Sequence, residues 1–160
     1  MRLPSENLDG YTFLLLGENY EIRLTDTRYI RLNVKESALY LPEKNARKRL
    51  VLWLKENAKR IFTQASLETA KRMGVTVQSV EISSARTRWG SCSRDNRIRY
   101  SFRLLYTPKE MVEYVIVHEL AHVKHKNHSP AFWREVEKYV PDYKARRKWL
   151  KEHGVLMQIF

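Results

Sequence analysis

The feature that most constrains the fold is a helix-forming segment that is apolar on almost every side. It runs from Met111 to about Lys124, and its apolar members are Val112, Tyr114, Val115, Ile116, Val117, Leu120, Ala121 and Val123. A surface helix carries one apolar stripe, whereas a helix that is apolar all round is enclosed by protein. We therefore predict a buried central helix. Thr107, Pro108 and Glu110 predict its start, as a capping hydroxyl, a proline at the first helical position and a glutamate in the first turn.

The chain before this helix has the pattern of strands, one long helical segment and a hairpin. Short β-prone runs separated by polar turns predict an N-terminal antiparallel β meander; they are residues 11–16, 20–24, 29–34 and 38–41. Apolar residues then recur at near-helical spacing from about 43 to 73, which predicts one long helix or two consecutive ones ending at Gly74. Two further strands, 75–82 and 97–105, flank a turn-like stretch and predict a β-hairpin.

Two more helices are expected after the central one. Ser129 and Pro130 repeat the cap-plus-proline pattern and begin a helix that extends to Tyr139. A basic amphipathic helix follows from about Asp142 to His153. The predicted fold class is α+β, with a β meander, a long helix, a hairpin, the central helix and C-terminal helices.

Two histidines and a glutamate interrupt the apolar surface of the central helix. His118 and His122 are four residues apart, so their side chains project from one face about 6 Å apart, and both can reach one ion at ~2.0–2.1 Å. Glu119 leans toward the same point and can take a proton from a metal-bound water. Without a metal, each buried polar atom of these groups that lacks a hydrogen-bond partner would destabilise the fold by roughly 1–3 kcal/mol. The spacing predicts a metal-dependent hydrolase.

A catalytic zinc site takes three protein ligands and leaves a position open for water. On a continuing helix, His125 would lie roughly 10 Å beyond His118, too far for the rings to converge. His128 precedes the Ser129 cap, where the chain can fold back, so it is the favoured third ligand. His125 and a downstream carboxylate, Glu135 or Glu137, are the alternatives.

The composition limits where a metal can bind and where the protein acts. One cysteine, Cys92, excludes an internal disulfide framework and a cysteine-cluster zinc site, so zinc must be held by histidines. We interpret Cys92 as a buried, inert thiol. No apolar run approaches the ~20 residues of a membrane span, and the N-terminus lacks the pattern of a signal peptide. We expect a cytoplasmic protein with no membrane partner.

The chain is strongly basic, with 30 Lys and Arg against 18 Asp and Glu and a net charge of +12. Such a charge favours weak association with nucleic acid. Part of it is concentrated in one stretch that has a single aspartate, Asp95, and these arginines: Arg86, Arg88, Arg94, Arg97, Arg99 and Arg103. They either clamp phosphate or act as solubility charges on a strand face, and the second interpretation is favoured.

Three ordered motifs carry a family resemblance: residues 88–93 (RWGSCS), 115–122 (VIVHELAH) and 127–133 (NHSPAFW). Together they resemble the YgjP-like metallopeptidase-domain family, which is related more distantly to SprT-like and other zincin peptidases. The resemblance implies that His118, His122 and His128 ligate one zinc ion, with another divalent metal possible, and that Glu119 is the base. The predicted domains are an N-terminal β subdomain at 1–42 and a zincin-like catalytic domain at 43–160, which together form one compact unit.

The expected function is a zinc-dependent metallopeptidase that uses a Glu-activated, metal-bound water. An extended peptide would bind along a strand edge beside the central helix, with Arg88 and Trp89 as substrate-binding residues. The resemblance also implies an alternative, a nucleoside triphosphate (UTP) pyrophosphohydrolase with the same metal site. A second alternative is a nucleic-acid-associated SprT-like protease or binding module. The candidate oxyanion donors are Tyr106, Tyr139 and Tyr143.

Overall fold

An N-terminal sheet forms the first layer of the computed structural model, which describes residues 3–160. The first two residues of the predicted unit 1–42 therefore lie outside the described residues. The sheet contains β1 (Thr12–Leu15), β2 (Glu18–Thr25), β3 (Arg31–Asn33) and β4 (Ala38–Pro42), in the order β1-β2-β4-β3. All four strands lie where the sequence predicts them.

The predicted antiparallel meander is wrong in its connectivity. β1 and β2 form one antiparallel pair and β3 and β4 another, but β2 and β4 are parallel. This order puts the most apolar strand inside the sheet, where Leu39 of β4 pairs with Ile22 of β2 and both are fully buried. The three-residue strand β3 has no fully buried residue and takes an edge, where a short strand exposes few unpaired backbone groups.

The long helical segment is a single helix, α1 (Ala46–Met73), of 28 residues. Its buried residues recur every three or four positions and face the two sheets; they are Leu50, Leu54, Ala58, Phe62, Ser66, Ala70 and Met73. Gly74 ends the helix with a φ of 68°, and its N–H donates to the carbonyls of Ala70 and Lys71. The predicted C-terminal glycine is confirmed.

A second sheet contains β5 (Ser79–Ser83), β6 (Gly90–Cys92) and β7 (Arg97–Ser101), in the order β5-β7-β6. The predicted hairpin exists, but it joins β6 to β7, while the preceding strand β5 pairs with β7 in parallel. β7 ends at Ser101, whose hydroxyl accepts from the Arg103 N–H and begins a 3₁₀ helix over Phe102–Tyr106. β6 is left at the sheet edge.

Helices α2 (Lys109–Lys124), α3 (Pro130–Tyr139) and α4 (Tyr143–Glu152) complete the fold. α2 packs against α1, α3, α4 and β6, as predicted for a central helix. Its predicted cap is wrong: Pro108 is the N-cap residue, and the Thr107 hydroxyl donates backward to the Leu104 carbonyl. The Ser129 cap of α3 is confirmed, since its hydroxyl accepts from the Phe132 N–H.

The α+β fold class is confirmed. A short 3₁₀ helix, Gly154–Gln158, follows α4, and the residues after it are buried against the N-terminal layer. Across residues 3–160, no helix combines the length and apolar character needed to cross a membrane.

Candidate metal centre

Three histidines meet at the C-terminal half of α2. His118 and His122 project from α2, and His128 reaches them from the loop that precedes α3. One ring nitrogen from each lies within 4.8 Å of the other two. His125, the residue that ends α2, is not part of the cluster found among residues 3–160. The structure thus brings together the three histidines that the sequence favours.

The surroundings of His122 prepare its ring for a metal. Nδ1 donates a hydrogen bond to the His125 carbonyl at 2.9 Å, so the lone pair of the neutral ring is on Nε2. The ring stacks on Phe132 with centroids 4.4 Å apart. Burial lowers the pKa of His122. The ring therefore remains in the neutral, ligating form to a lower pH than a free imidazole does.

His128 is exposed but held by ring contacts. It stacks on Trp133 at a centroid distance of 5.8 Å, and Trp133 stacks in turn on Tyr143 at 5.1 Å. Partial desolvation lowers the pKa of His128, and the nearby rings of His122 and His118 lower it further. The helix α3, fixed by its Ser129 cap, supplies the ring that positions this histidine.

Glu119 lies beside the cluster and is 4% exposed. Its Oε1 is 3.0 Å from His118 Nδ1, whereas its Oε2 is buried and has no hydrogen-bond partner. A buried carboxylate oxygen without a partner is costly and calls for an explanation. Imidazole nitrogens together with a nearby free carboxylate match the preferences of a zinc-type divalent ion, so the donor set fits such a metal.

A cleft of about 540 Å³ opens beside Glu119 and His118. Its wall consists of Thr87, Arg88, Trp89, Gly90, Tyr114, Val115, Arg147, Leu150 and Lys151. Both sequence-predicted substrate residues, Arg88 and Trp89, are therefore part of this wall. The cleft lies within the size range of small-ligand sites, about 300–1,000 Å³.

A comparison with models of known protein families gives a match over most of the chain. The family model described as "YgjP-like, metallopeptidase domain" matches residues 2–153. The chain belongs to this family. As a YgjP-like metallopeptidase-family protein, it is an enzyme of the metal-dependent hydrolase class, and the resemblance carried by its three motifs is confirmed.

Two solved structures resemble this YgjP-like protein. The metallopeptidase zymogen of Pyrococcus abyssi abylysin has 26% identity, covers 57% of this chain and 93% of its own, and gives a TM-score of 0.51. For the metallopeptidase zymogen of Methanocaldococcus jannaschii jannalysin the identity is 19%, the coverages are 55% and 94%, and the TM-score is 0.47. Comparison with curated protein sequences gives no significant match.

The tyrosine lining the cleft of the YgjP-like domain is not one that the sequence suggested. Tyr106 is enclosed in the core, and the Tyr139 hydroxyl points to the Arg72 carbonyl at 3.5 Å, so neither lines the cleft. Tyr143 packs under Trp133. Tyr114 lines the cleft instead, and burial raises its pKa to about 12, which keeps the hydroxyl protonated. The sequence signal that could have identified Tyr114 is its position four residues before His118, because residues at this spacing share a helix face.

The alternative carboxylate ligands lie outside the histidine cluster. Glu135 is buried, and its carboxylate pairs with Lys124 at 3.1 Å and with Lys138 at 3.6 Å. Glu137 is exposed on the same helix, and neither glutamate is in the metal-binding group found among residues 3–160.

Most of the six clustered arginines have other partners. Arg103 is buried and donates to the carbonyls of Ser84, Ile159 and Phe160, and Arg86 donates to those of Met157 and Phe160. These two fasten the C-terminal segment to the second sheet.

The remaining arginines are at the surface. Arg97 pairs with Asp95 and Arg99 with Glu81, and all four side chains are well exposed. Arg94 is also exposed. Arg88 alone among the six lines the cleft, so a clamp built from the whole arginine cluster is wrong.

Cys92 is half-buried, where the sequence interpretation expected a buried thiol. Burial raises the pKa of its thiol, which favours the protonated, unreactive form at neutral pH. The Lys126 amine lies 3.9 Å from the sulfur and also binds the Ser93 carbonyl at 3.2 Å, so it ties the loop after α2 to β6.

Proposed function

We propose that this YgjP-like domain is a zinc-dependent peptidase in which Glu119 is the general base. One observation supports this most: the Oε2 atom of Glu119 is buried and unpartnered beside three converging histidine nitrogens. A structural role would leave that oxygen as an uncompensated cost, whereas a base needs an oxygen free to accept a proton.

In this proposal, ring nitrogens of His118, His122 and His128 hold the ion. Zinc, when bound, supplies a Lewis acid that polarises a carbonyl group and lowers the pKa of water toward ~7. The hydrogen bond from His122 Nδ1 to the His125 carbonyl fixes the tautomer that ligation needs.

Glu119 supplies the proton transfers. Its free Oε2 accepts the proton of the attacking water, and the same group returns it to the nitrogen of the leaving amine. Its contact with His118 Nδ1 through Oε1 holds the carboxylate in one orientation. Tyr114, whose pKa of about 12 keeps it protonated, lines the cleft as a hydrogen-bond donor for the oxyanion that develops on the scissile carbonyl.

Strand β6 provides the place for an extended peptide. It is an edge strand of the second sheet, and it packs on α2 next to Glu119. An unpaired edge binds a peptide backbone by adding a strand, while neighbouring pockets take alternate side chains. Arg88 and Trp89, just before β6, lie in the cleft wall where such side chains would project.

A peptide substrate is favoured over a nucleoside triphosphate for a specific reason. Arg103 and Arg86 are bound to carbonyls of the C-terminal segment, so the cations that line the cleft are Arg88, Arg147 and Lys151. The rest of the wall is largely apolar or aromatic and lies beside the free edge of β6, which suits an extended peptide better than a triphosphate.

The test combines metal analysis with two assays, one on an unstructured protein and one on nucleoside triphosphates. We expect wild type and Glu119→Gln to bind zinc equally, and the variant to lose cleavage by at least about 100-fold. Glu113→Gln, an exposed glutamate on the same helix, is the matched control and should keep full activity. Unchanged cleavage in Glu119→Gln, or hydrolysis of nucleotides without cleavage of protein, contradicts the proposal.

A further inference from the structure

The charges that line the cleft are strongly one-sided. Arg88, Arg147 and Lys151 are positive, and the only carboxylate is Glu119, which belongs to the metal centre. The cleft therefore presents cations to whatever occupies it. Two of the three come from α4, which follows the histidine motif and α3 in the chain.

Arg147 has a fixed position relative to the metal centre. Its guanidinium carbon lies 5.0 Å from the centre of the Trp133 ring, a cation–π distance. Trp133 is the ring that stacks on His128. Lys151 follows four residues later on α4 and so projects from the same helix face. Both side chains line the same cleft as His118 and Glu119.

The cations of α4 differ in how they are neutralised. Arg146 and Lys148, which do not line the cleft, have acidic partners: Arg146 pairs with Glu113 and Asp142, and Lys148 with Glu152. Within residues 3–160, Arg147 and Lys151 form no ion pair, and neither does Arg88. Lys144, an exposed α4 cation outside the cleft, also forms no ion pair among these residues, so the lack of an acidic partner is shared by the cleft cations but is not confined to them.

We propose that the cleft selects peptides with an aspartate or glutamate close to the scissile bond, and that Arg147 and Lys151 determine this specificity. The inference rests on the proposed peptidase function and names its substrate class. A peptide fits better than a polyanion because the rest of the wall is apolar or aromatic, from Trp89, Val115 and Leu150, and lies beside the free edge of β6.

Binding is measured first, without turnover, on zinc-loaded Glu119→Gln protein. The probes are three fluorescein-labelled decapeptides that differ only in a central Glu, Gln or Lys. We expect the Glu peptide to bind about tenfold more tightly than the Gln peptide, with a preference that weakens as salt is added. When Arg147→Gln and Lys151→Gln are added to this protein, the Glu peptide should lose most of its advantage over the Gln peptide, and the cation that remains in the cleft is Arg88.

Lys148→Gln is the matched control because it removes a paired α4 cation outside the cleft, and it should leave the preference intact. Charge reversal, Arg147→Glu/Lys151→Glu, should invert the preference in favour of the Lys peptide. All these side chains are exposed, and thermal melting verifies that each variant folds like its parent.

Equal binding of the three peptides overturns the inference, even if the wild-type enzyme cleaves protein. So does single-stranded DNA of matched charge that displaces the Glu peptide more effectively than the unlabelled peptide does. If the preference depends on Arg147 and Lys151 but wild type cleaves no peptide, the anion-selective cleft is supported and the proposed peptidase function is contradicted. Mapped cleavage sites enriched in neighbouring Asp and Glu support both.

Discussion

A side chain at position 90 would crowd Glu119. A Cβ built on Gly90 lies 3.0 Å from Glu119 Cγ, and it is 3.2 Å from both the Arg99 carbonyl and a Val115 methyl group. Strand β6 thus crosses α2 so closely that a side chain at position 90 would fit only if its neighbours moved by a few tenths of an ångström. The glycine keeps the carboxylate and the free strand edge next to each other.

Gly90→Ala should therefore damage activity without removing the metal. The new methyl group must shift the Glu119 side chain or β6 by a few tenths of an ångström, and a displacement of about 1 Å in a catalytic group costs roughly 100-fold in rate. We expect a loss of about 3- to 10-fold in kcat on an unstructured protein, with zinc content unchanged. Gly154→Ala, where the added Cβ meets nothing within 4 Å, is the control. Wild-type kcat in Gly90→Ala would contradict the role of this contact.

Substitution of His128, with His125 as its matched control, tests which histidine is the third metal ligand. His128→Ala removes a member of the nitrogen cluster, so we expect zinc affinity to drop by more than about 100-fold, beyond the 10–100-fold typical of residues that only support a ligand. His125→Ala should bind zinc like wild type, because His122 hydrogen-bonds to the backbone carbonyl of His125 and not to its ring. Competition with a chelator measures both. Equal losses would argue against His128 as a ligand.

Substitution of Arg103 and of Arg99 compares an arginine that stabilises the fold with one at the surface. Arg103→Met removes three hydrogen bonds and leaves the carbonyls of Ser84 and Ile159 without this donor, whereas the Phe160 carbonyl keeps its bond from Arg86. The free energy of unfolding should fall by about 2–3 kcal/mol in urea denaturation. The exposed pair of Arg99 with Glu81 is worth less than about 1 kcal/mol, so Arg99→Met should be nearly neutral. Activity per folded molecule should survive both changes. A stable Arg103→Met protein would show that the C-terminal segment is held by other contacts.

The parts of the site that sequence could predict are those fixed by local geometry. His118, Glu119 and His122 lie on one side of a helix because of helical periodicity alone. Four residues separate the end of α2 at Lys124 from the Ser129 cap, and this short connection limits where His128 can lie. Tyr114 is on the same face and was equally predictable. The strands and α1 were also located from their own residues, since periodicity and turn residues are local signals.

The features that the sequence did not predict correctly depend on contacts between separate elements of the chain. The parallel pairings of β2 with β4 and of β5 with β7 follow from which strand buries the most apolar side chains, which periodicity within one strand does not reveal. The same holds for Arg147 and Lys151. An amphipathic basic helix predicts a charged face, but only the packing of α4 against α2 turns two of its cations toward the metal centre.

The metal-free protein should lose stability as the pH falls through the range in which histidine titrates. The pKa values of His122 and His128 are lower in the folded chain than the ordinary 6.5, so below that pH the unfolded chain binds more protons than the folded one. The free energy of unfolding should then decrease as the pH falls below about 6.5, and this contribution should be fully present above it. Urea denaturation of metal-free protein between about pH 5 and 8 measures the effect. A variant carrying His122→Gln and His128→Gln should show a smaller decline over the same range, because its side chains take up no protons there. An equally steep decline in the variant would assign the pH dependence to other groups.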